Sequence, residues 1–236
     1  MNNPQIKIAG FQKNSFIDYP GKIACVIFLG GCNVRCYFCH NFDILKNSSN
    51  VQDFSEVLAE IREQKDFLDA VVISGGEPTL HPHLRDIINL LKKEVGLPIK
   101  LDSNGTNPTL LKELVESGDI QYVAMDVKCA FENAENIIGT DHFAAPMCES
   151  IQYLINQNKI DYMFRTTLAP ALDEDDMIAI AKMIKGARTY QIQQFIPNEN
   201  SESSRCGGLK PYTKEQANQF AKLFEGSVKQ ILIRGF

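Results

Sequence analysis

Three cysteines, Cys32, Cys36 and Cys39, stand close together in GGCNVRCYFCHN, spaced C-x3-C-x2-C on a glycine-edged turn after the apolar run IACVIFL. A closed structural zinc site takes four ligands. A cubane iron–sulfur cluster held by three thiolates instead keeps one iron open to an outside molecule, and an open iron is a place for chemistry. Two plainer readings stand beside this one: zinc completed by His40, or three buried cysteines. So tight a cluster does not suit the second. The first needs adjacent Cys39 and His40 to turn onto one ion, whereas tetrahedral sites usually space their ligand pairs.

Other groups with chemical potential fall at the ends of apolar runs. Gly75-Gly76-Glu77-Pro78 follows AVVIS; the glycines let a ligand approach the backbone, though a plain turn with Glu77 opening a helix has the same composition. Asp102-Ser103-Asn104-Gly105-Thr106 reads as a turn before a helix opened by Pro108. In MDVK, strand alternation puts Asp126 and Lys128 on one face, as an ion pair or as the two poles that hold a zwitterion. Arg165, in FRTT, suits bidentate carboxylate binding. Gln193, Gln194 and Phe195 offer amides and an aromatic face to a heterocycle. His81, His83 and His142 have no metal-ligand spacing and are read as surface residues.

Gathering these scattered groups requires a particular architecture. Short β-branched runs alternate with amphipathic stretches, the pattern of βα units around a parallel sheet. Strands are expected at 23–29, 70–73, 99–102, 122–126, 162–167 and 190–195, and helices at 54–67, 84–95, 109–116, 150–156, 175–184 and 214–224. Nearly continuous apolar strands suit a sheet covered on both faces, an open doubly wound sheet or a partial barrel. In either, ligands gather at the carboxyl ends of the strands, where the unusual residues lie. Residues 1–22 precede the first expected strand; VKQILIRGF at the end reads as one further strand without a placement.

The chain has 236 residues, 44% hydrophobic, with net charge −5 and both signs mixed. That is enough for one large α/β domain, and it offers no broad basic face for nucleic acid. Seven cysteines, four of them scattered, argue against a disulfide framework. No apolar run approaches the roughly 18 residues of a membrane span, and the N-terminus lacks a leader pattern. The expectation is a cytoplasmic protein in which the sequon at Asn47 carries no glycan.

On these residues the chain resembles the radical S-adenosylmethionine enzymes, which carry C-x3-C-x2-C with an aromatic before the third cysteine (Phe38) and a Gly-Gly-Glu-Pro strand end. DYPG at Asp18 to Gly21, Cys39-His40-Asn41, SNGT at Ser103 to Thr106 and DVK at Asp126 to Lys128 resemble the glycyl-radical-enzyme activases, most closely those acting on anaerobic ribonucleotide reductase. The resemblance runs from about Phe11 to Phe195. It implies a partial (β/α)6 barrel over 23–195, within a single domain of 1–236 whose residues 1–22 are an extension and 196–236 a loop, helix and strand. It implies one 4Fe-4S cluster on Cys32, Cys36 and Cys39. S-adenosylmethionine would have its methionine part held by Gly75, Gly76 and Glu77, with Asp102, Ser103, Asp126, Lys128 and Arg165 around its polar groups and Phe38, Asn41 and Gln194 near its adenosyl part. Asp102, Ser103 and Asp126 would also hold a monovalent cation.

The same resemblance implies a glycyl radical enzyme as protein substrate. Some activases insert a ferredoxin-like segment with further cysteines; here none stands between Cys39 and Val71, so flavodoxin or ferredoxin is expected as an external electron donor. Asp18 is either a contact for the incoming glycyl loop or a turn residue before Pro20-Gly21. A radical enzyme acting on a small molecule, of the 7-carboxy-7-deazaguanine synthase type, and a non-catalytic zinc module are the competing readings.

Overall fold

The computed structural model of the chain describes residues 6–39, 41, 51–197 and 210–236. His40, Asn47, Cys206 and residues 198–209, most of the loop expected after Phe195, where PNENSESSRCGGLKPY reads as a candidate lid or docking surface, lie outside the described residues. Among the described residues the strands are β1 (Lys7–Ile8), β2 (Gly10–Tyr19), β3 (Lys22–Leu29), β4 (Gln52–Asp53), β5 (Ala70–Gly75), β6 (Ile99–Ser103), β7 (Tyr122–Asp126), β8 (Asp161–Leu168), β9 (Thr189–Gln194) and β10 (Gln230–Arg234). The helices are α1 (Phe54–Glu63), α2 (Leu84–Glu94), α3 (Pro108–Glu116), α4 (Ala134–Ile138), α5 (Ala144–Asn156), α6 (Glu174–Met183) and α7 (Lys214–Lys222).

The six strands expected from the sequence pair in parallel in chain order, within an eight-stranded sheet of order β10-β9-β8-β7-β6-β5-β3-β2 that curls into a half-barrel. Helices cover its outer face. Ile27, Ile73, Leu101, Val123, Phe164 and Ile192 point outward into the core formed with Val57, Leu58 and Ile61 of α1, Leu84, Ile87 and Leu91 of α2 and their successors. Full burial of each such side chain is worth about 1.5–3 kcal/mol. Helix starts are set locally: Asn107 accepts from Leu110 N ahead of Pro108, and Asp173 and Thr213 each form a capping box.

The inner face changes character along the barrel axis. Its amino-terminal layers are filled by Ala24, Val26, Ala70, Val72, Ala124 and Met163 with the rings of Tyr19 and Tyr122. Higher up, the same alternation presents Asp102, Asp126, Arg165 and Gln191, with Lys100 beneath Asp102 and level with Val72 and Tyr122, so an apolar plug gives way to a charged floor.

Two edges differ from the sequence reading. β2 falls in residues placed before the first strand, yet it pairs antiparallel with β3. Register shifts between Gln12 and Ser15 and between Ser15 and Tyr19 break its alternation, which is why FQKNSFIDY does not announce a strand. The closing strand finds its place as β10, parallel beside β9. Helix α4 is unexpected, and α5 begins at Ala144 instead of 150, because Pro146 sits in the first turn, where no amide donor is needed. Among the described residues no helix is long and apolar enough to cross a membrane.

Candidate active site

A cavity of about 400 Å³ opens at the carboxyl ends of the parallel strands, within the size range of small-molecule pockets. Its walls carry Cys32, Cys36, Cys39, Phe38, Asn41, Gly75, Gly76, Asp102, Ser103, Asp126, Lys128, Arg165 and Gln194, with Asp18 at the rim. Thus every residue that the resemblance assigns to the site except Glu77 faces one space, whereas Phe195, offered as an aromatic face for a heterocycle, is buried in an apolar cluster instead. Arg234 of β10 donates to the Ile17 carbonyl of β2 at 2.7 Å, joining the two outer strands of the sheet across the mouth.

The cysteine loop is held from three sides. Arg35 N and Tyr37 N donate to the carbonyls of Ile138 (2.8 Å) and Ile137 (3.3 Å) at the end of α4. Glu77 N donates to Gly31 O at 2.8 Å, and Asn41 Nδ2 to Gly75 O at 2.7 Å. Asn33 and Asn104 cross-tie the loop to the SNGT turn: Asn104 Nδ2 donates to Asn33 Oδ1 at 3.0 Å and reaches Cys32 Sγ at 4.0 Å, while Asn33 Nδ2 donates to Thr106 Oγ1 at 2.8 Å. Beneath lies an apolar cluster of Val34, Phe38, Cys129, Ile137, Ala169, Leu172 and Phe195. Burial pushes the Cys32 thiol up and the Cys36 thiol up to about 12. Among the described residues no three His, Cys, Asp or Glu groups close on a single ion position; the thiols line one wall of the cavity instead.

Opposite the cysteines the floor is a chain of ion pairs. Lys100 Nζ contacts Asp102 Oδ1; Asp102 Oδ2 accepts from Ser74 Oγ at 3.1 Å and Arg165 Nη2 at 3.3 Å. Arg165 Nε donates to Asp126 Oδ1 at 2.6 Å, and Lys128 Nζ to Asp126 Oδ2 at 2.9 Å. Burial pushes both carboxyls up, but the neighbouring cations outweigh it and hold Asp102 and Asp126 below the usual carboxylate range. Lys128 also sits 5.9 Å over the Phe38 ring, joining the floor to the cysteine loop.

Glu77 serves the scaffold. It is 0% exposed, and its carboxylate accepts from Thr79 N (3.1 Å), Thr79 Oγ1 (2.5 Å), Ser103 Oγ (2.9 Å) and Asn104 N (2.6 Å). Burial pushes its carboxyl up and these donors pull it down, the net shift being upward. The side chain thereby pins the end of β6 to the end of β5. In Glu77→Gln an amide NH2 must face one of these donors, so we expect a loss of about 2–3 kcal/mol, read as a lowered Tm. Since 1 kcal/mol moves Tm by about 2–4 °C in a chain of this size, a Tm within about 1 °C of wild type would show that the site relaxes around the amide.

Neither Asn33 nor α4 is marked in the sequence, and Asn104 reads there only as part of a turn. The SNGT turn was legible, but its pairing with Asn33, so far away along the chain, had no local signal.

The pattern of the radical SAM superfamily matches residues 26–184. The chain belongs to the radical SAM superfamily. Its relatives place it among the glycyl-radical enzyme activating enzymes. A Methanocaldococcus jannaschii protein, provisionally named a glycyl-radical enzyme activating enzyme, is 39% identical over 236 residues, covering 96% of this chain and 95% of the relative. The pyruvate formate-lyase 1-activating enzyme of Escherichia coli K12 is 29% identical over 240 residues, 93% of this chain and 95% of that enzyme. Among solved structures, Streptococcus suis SuiB bound to S-adenosylmethionine superposes with a TM-score of 0.64 at 13% identity, covering 86% of this chain and 48% of that one. TYW1 with a lysine-pyruvate adduct gives 0.62 at 15%, covering 86% and 74%. At such identity these two show the fold.

Membership in the radical SAM superfamily implies a 4Fe-4S cluster and S-adenosylmethionine. The residues fit both. Three thiols on one tethered loop face a cavity whose far wall holds fixed cations and carboxylates, the donor set a three-thiolate cluster and a zwitterionic amino acid require.

Proposed function

We propose that this radical SAM activase installs a glycyl radical on anaerobic ribonucleotide reductase, in the cytoplasm, with reduced flavodoxin or ferredoxin as its electron donor. Cys32, Cys36 and Cys39 hold the cluster. Gly75 and Gly76 lie along the methionine part of S-adenosylmethionine, Lys128 and Arg165 balance its carboxylate, and Phe38, Asn41 and Gln194 border the adenosyl group. When bound, the cluster would supply the electron for reductive cleavage of S-adenosylmethionine, and with it the hydrogen-abstracting chemistry that leaves a radical on the partner's glycine. The chain's own residues bind, orient and exclude water; no side-chain acid or base is required.

The observation that carries the protein-substrate reading is the cavity mouth. Ile17 and Ile196 line it while 61% and 60% exposed, and Phe16 beside them is 69% exposed. Apolar residues in water at the rim of a charged pocket suit a docking polypeptide. Similarity to the pyruvate formate-lyase activating enzyme supports that class of partner as a second reading. Incubating reduced, reconstituted protein with each enzyme and recording the glycyl radical by EPR decides between them. Radical in neither, with turnover of a small molecule alone, would overturn the activase proposal.

Asp18 borders this mouth, and its carboxylate accepts from Ser15 Oγ at 2.5 Å. If it also receives the glycyl loop's backbone, Asp18→Ala should lower radical yield about tenfold while S-adenosylmethionine cleavage without partner stays near wild type. Equal loss of both would assign Asp18 to the local turn.

A further inference from the structure

Lys100 lies in the middle of a central strand, β6, between Val72 of β5 and Tyr122 of β7, and is 1% exposed. Lysine is almost never found so deep without a counter-charge. Its counter-charge is Asp102, directly above it on the inner face and itself part of the cavity floor. Unlike Lys128 and Arg165, Lys100 does not line the cavity. It touches the site only through Asp102, and neither the composition of IKLDS nor the proposed chemistry accounts for an ammonium in that place.

The resemblance to activases implies a free monovalent cation on Asp102, Ser103 and Asp126. These residues do not fit one. Both oxygens of Asp102 are engaged, one by Lys100 and the other by Ser74 and Arg165. Both oxygens of Asp126 are engaged, by Arg165 and Lys128. The Ser103 hydroxyl donates to Glu77 and accepts from Gly105 N. Among the described residues of this network, three fixed cations already face two carboxylates. An alkali ion against Asp102 would sit within a few ångströms of an ammonium and a guanidinium in a poorly solvated interior, where like charges repel strongly.

We infer that the Lys100 ammonium is a tethered substitute for that cation: it neutralises and orients Asp102 from below, so the site needs no alkali ion. Lys100 is then a positioning residue acting through Asp102. The inference takes its pocket from the activase reading, but its first test needs neither cluster nor S-adenosylmethionine.

The test is thermal unfolding of wild type, Lys100→Ala and Lys100→Met while potassium chloride replaces tetramethylammonium chloride at constant ionic strength. Wild type should show no saturable rise in Tm with potassium. Lys100→Ala, which vacates space beside Asp102, should start lower and rise saturably, as ligand binding to a folded state requires; Lys100→Met, which fills that space with an apolar chain, should start lower and respond less. A saturable potassium response in wild type would overturn the inference, as would a folded Lys100→Ala that ignores potassium. If Lys100→Ala does not fold, wild type and Lys100→Met still decide: a saturable potassium response in wild type, or a Lys100→Met with the Tm of wild type in tetramethylammonium chloride, would overturn it.

Reconstituted protein gives a second readout. S-adenosylmethionine affinity should be equal in both salts for wild type and about tenfold weaker in tetramethylammonium than in potassium for Lys100→Ala. Wild type that binds no S-adenosylmethionine in either salt would sink the activase reading and leave the thermal comparison to judge Lys100.

Discussion

Cys36→Ala, purified and reconstituted without oxygen, should be colourless and unable to cleave S-adenosylmethionine, where wild type is brown with about four irons and four sulfides per chain. The expectation is all-or-none because no other cysteine among the described residues stands at the cavity to replace the missing ligand. Among the described residues, Cys25 and Cys129 are buried and Cys148 is exposed on α5, and none of them lines the cavity. Burial pushes the Cys36 thiol up to about 12. It becomes a ligand only as bound metal displaces its proton, which makes loading weaken as pH falls. Iron, sulfide and zinc analysis checks this. A colourless wild type with stoichiometric zinc, or a brown and active Cys36→Ala, would overturn the cluster assignment.

How much of this centre the sequence discloses depends on the range of each interaction. The cysteine spacing, the Gly-Gly-Glu-Pro strand end and the DVK alternation are local, and they were legible as residues that a parallel sheet must bring to one end. Strand cores such as AVVIS and YVAMD were legible because burial on both faces demands continuous apolar runs. β2 was not, since its register shifts and its exposed Phe16 and Ile17 leave no period to read. Lys100 was hidden for a different reason. A lysine inside IKLDS looks like an exposed strand residue; alternation sets it on the face of Asp102, but only the lateral register that places it between Val72 and Tyr122 shows that the ion pair is buried. Glu77 shows a third limit. Its place beside two glycines marked it for the ligand, whereas the fold turns the carboxylate onto Thr79, Ser103 and Asn104.

The two glycines of that motif also separate ligand approach from chain approach, and Gly75 carries the second large prediction. Gly75 lies at φ +125, opposite Leu29 in the β3–β5 ladder. A Cβ there would collide with the backbone O and N of Leu29 and meet Leu29 C at 2.9 Å. These are backbone atoms of a central strand, so no rotamer change relieves the contact. From the same point Gly76 N donates to Leu29 O at 2.9 Å, Glu77 N donates to Gly31 O, and the Gly75 carbonyl receives Asn41. Forcing β5 from β3 here therefore loosens both the core and the start of the cysteine loop. Gly75→Ala should cost about 4–5 kcal/mol, combining backbone strain with overpacking, and lower Tm by on the order of 10 °C for a chain of this size. Cluster content should fall with it.

Gly31→Ala is the matched comparison. Gly31 also has positive φ, +87, and stands next to Cys32, but a Cβ there meets nothing within 4 Å. Its cost should be limited to the conformational part, about 1 kcal/mol. Denaturant or thermal unfolding of the two variants isolates the close approach. If they lost equal stability, β3 and β5 would be separating freely at Leu29, and the Gly-Gly strand end would owe its glycines to the ligand alone.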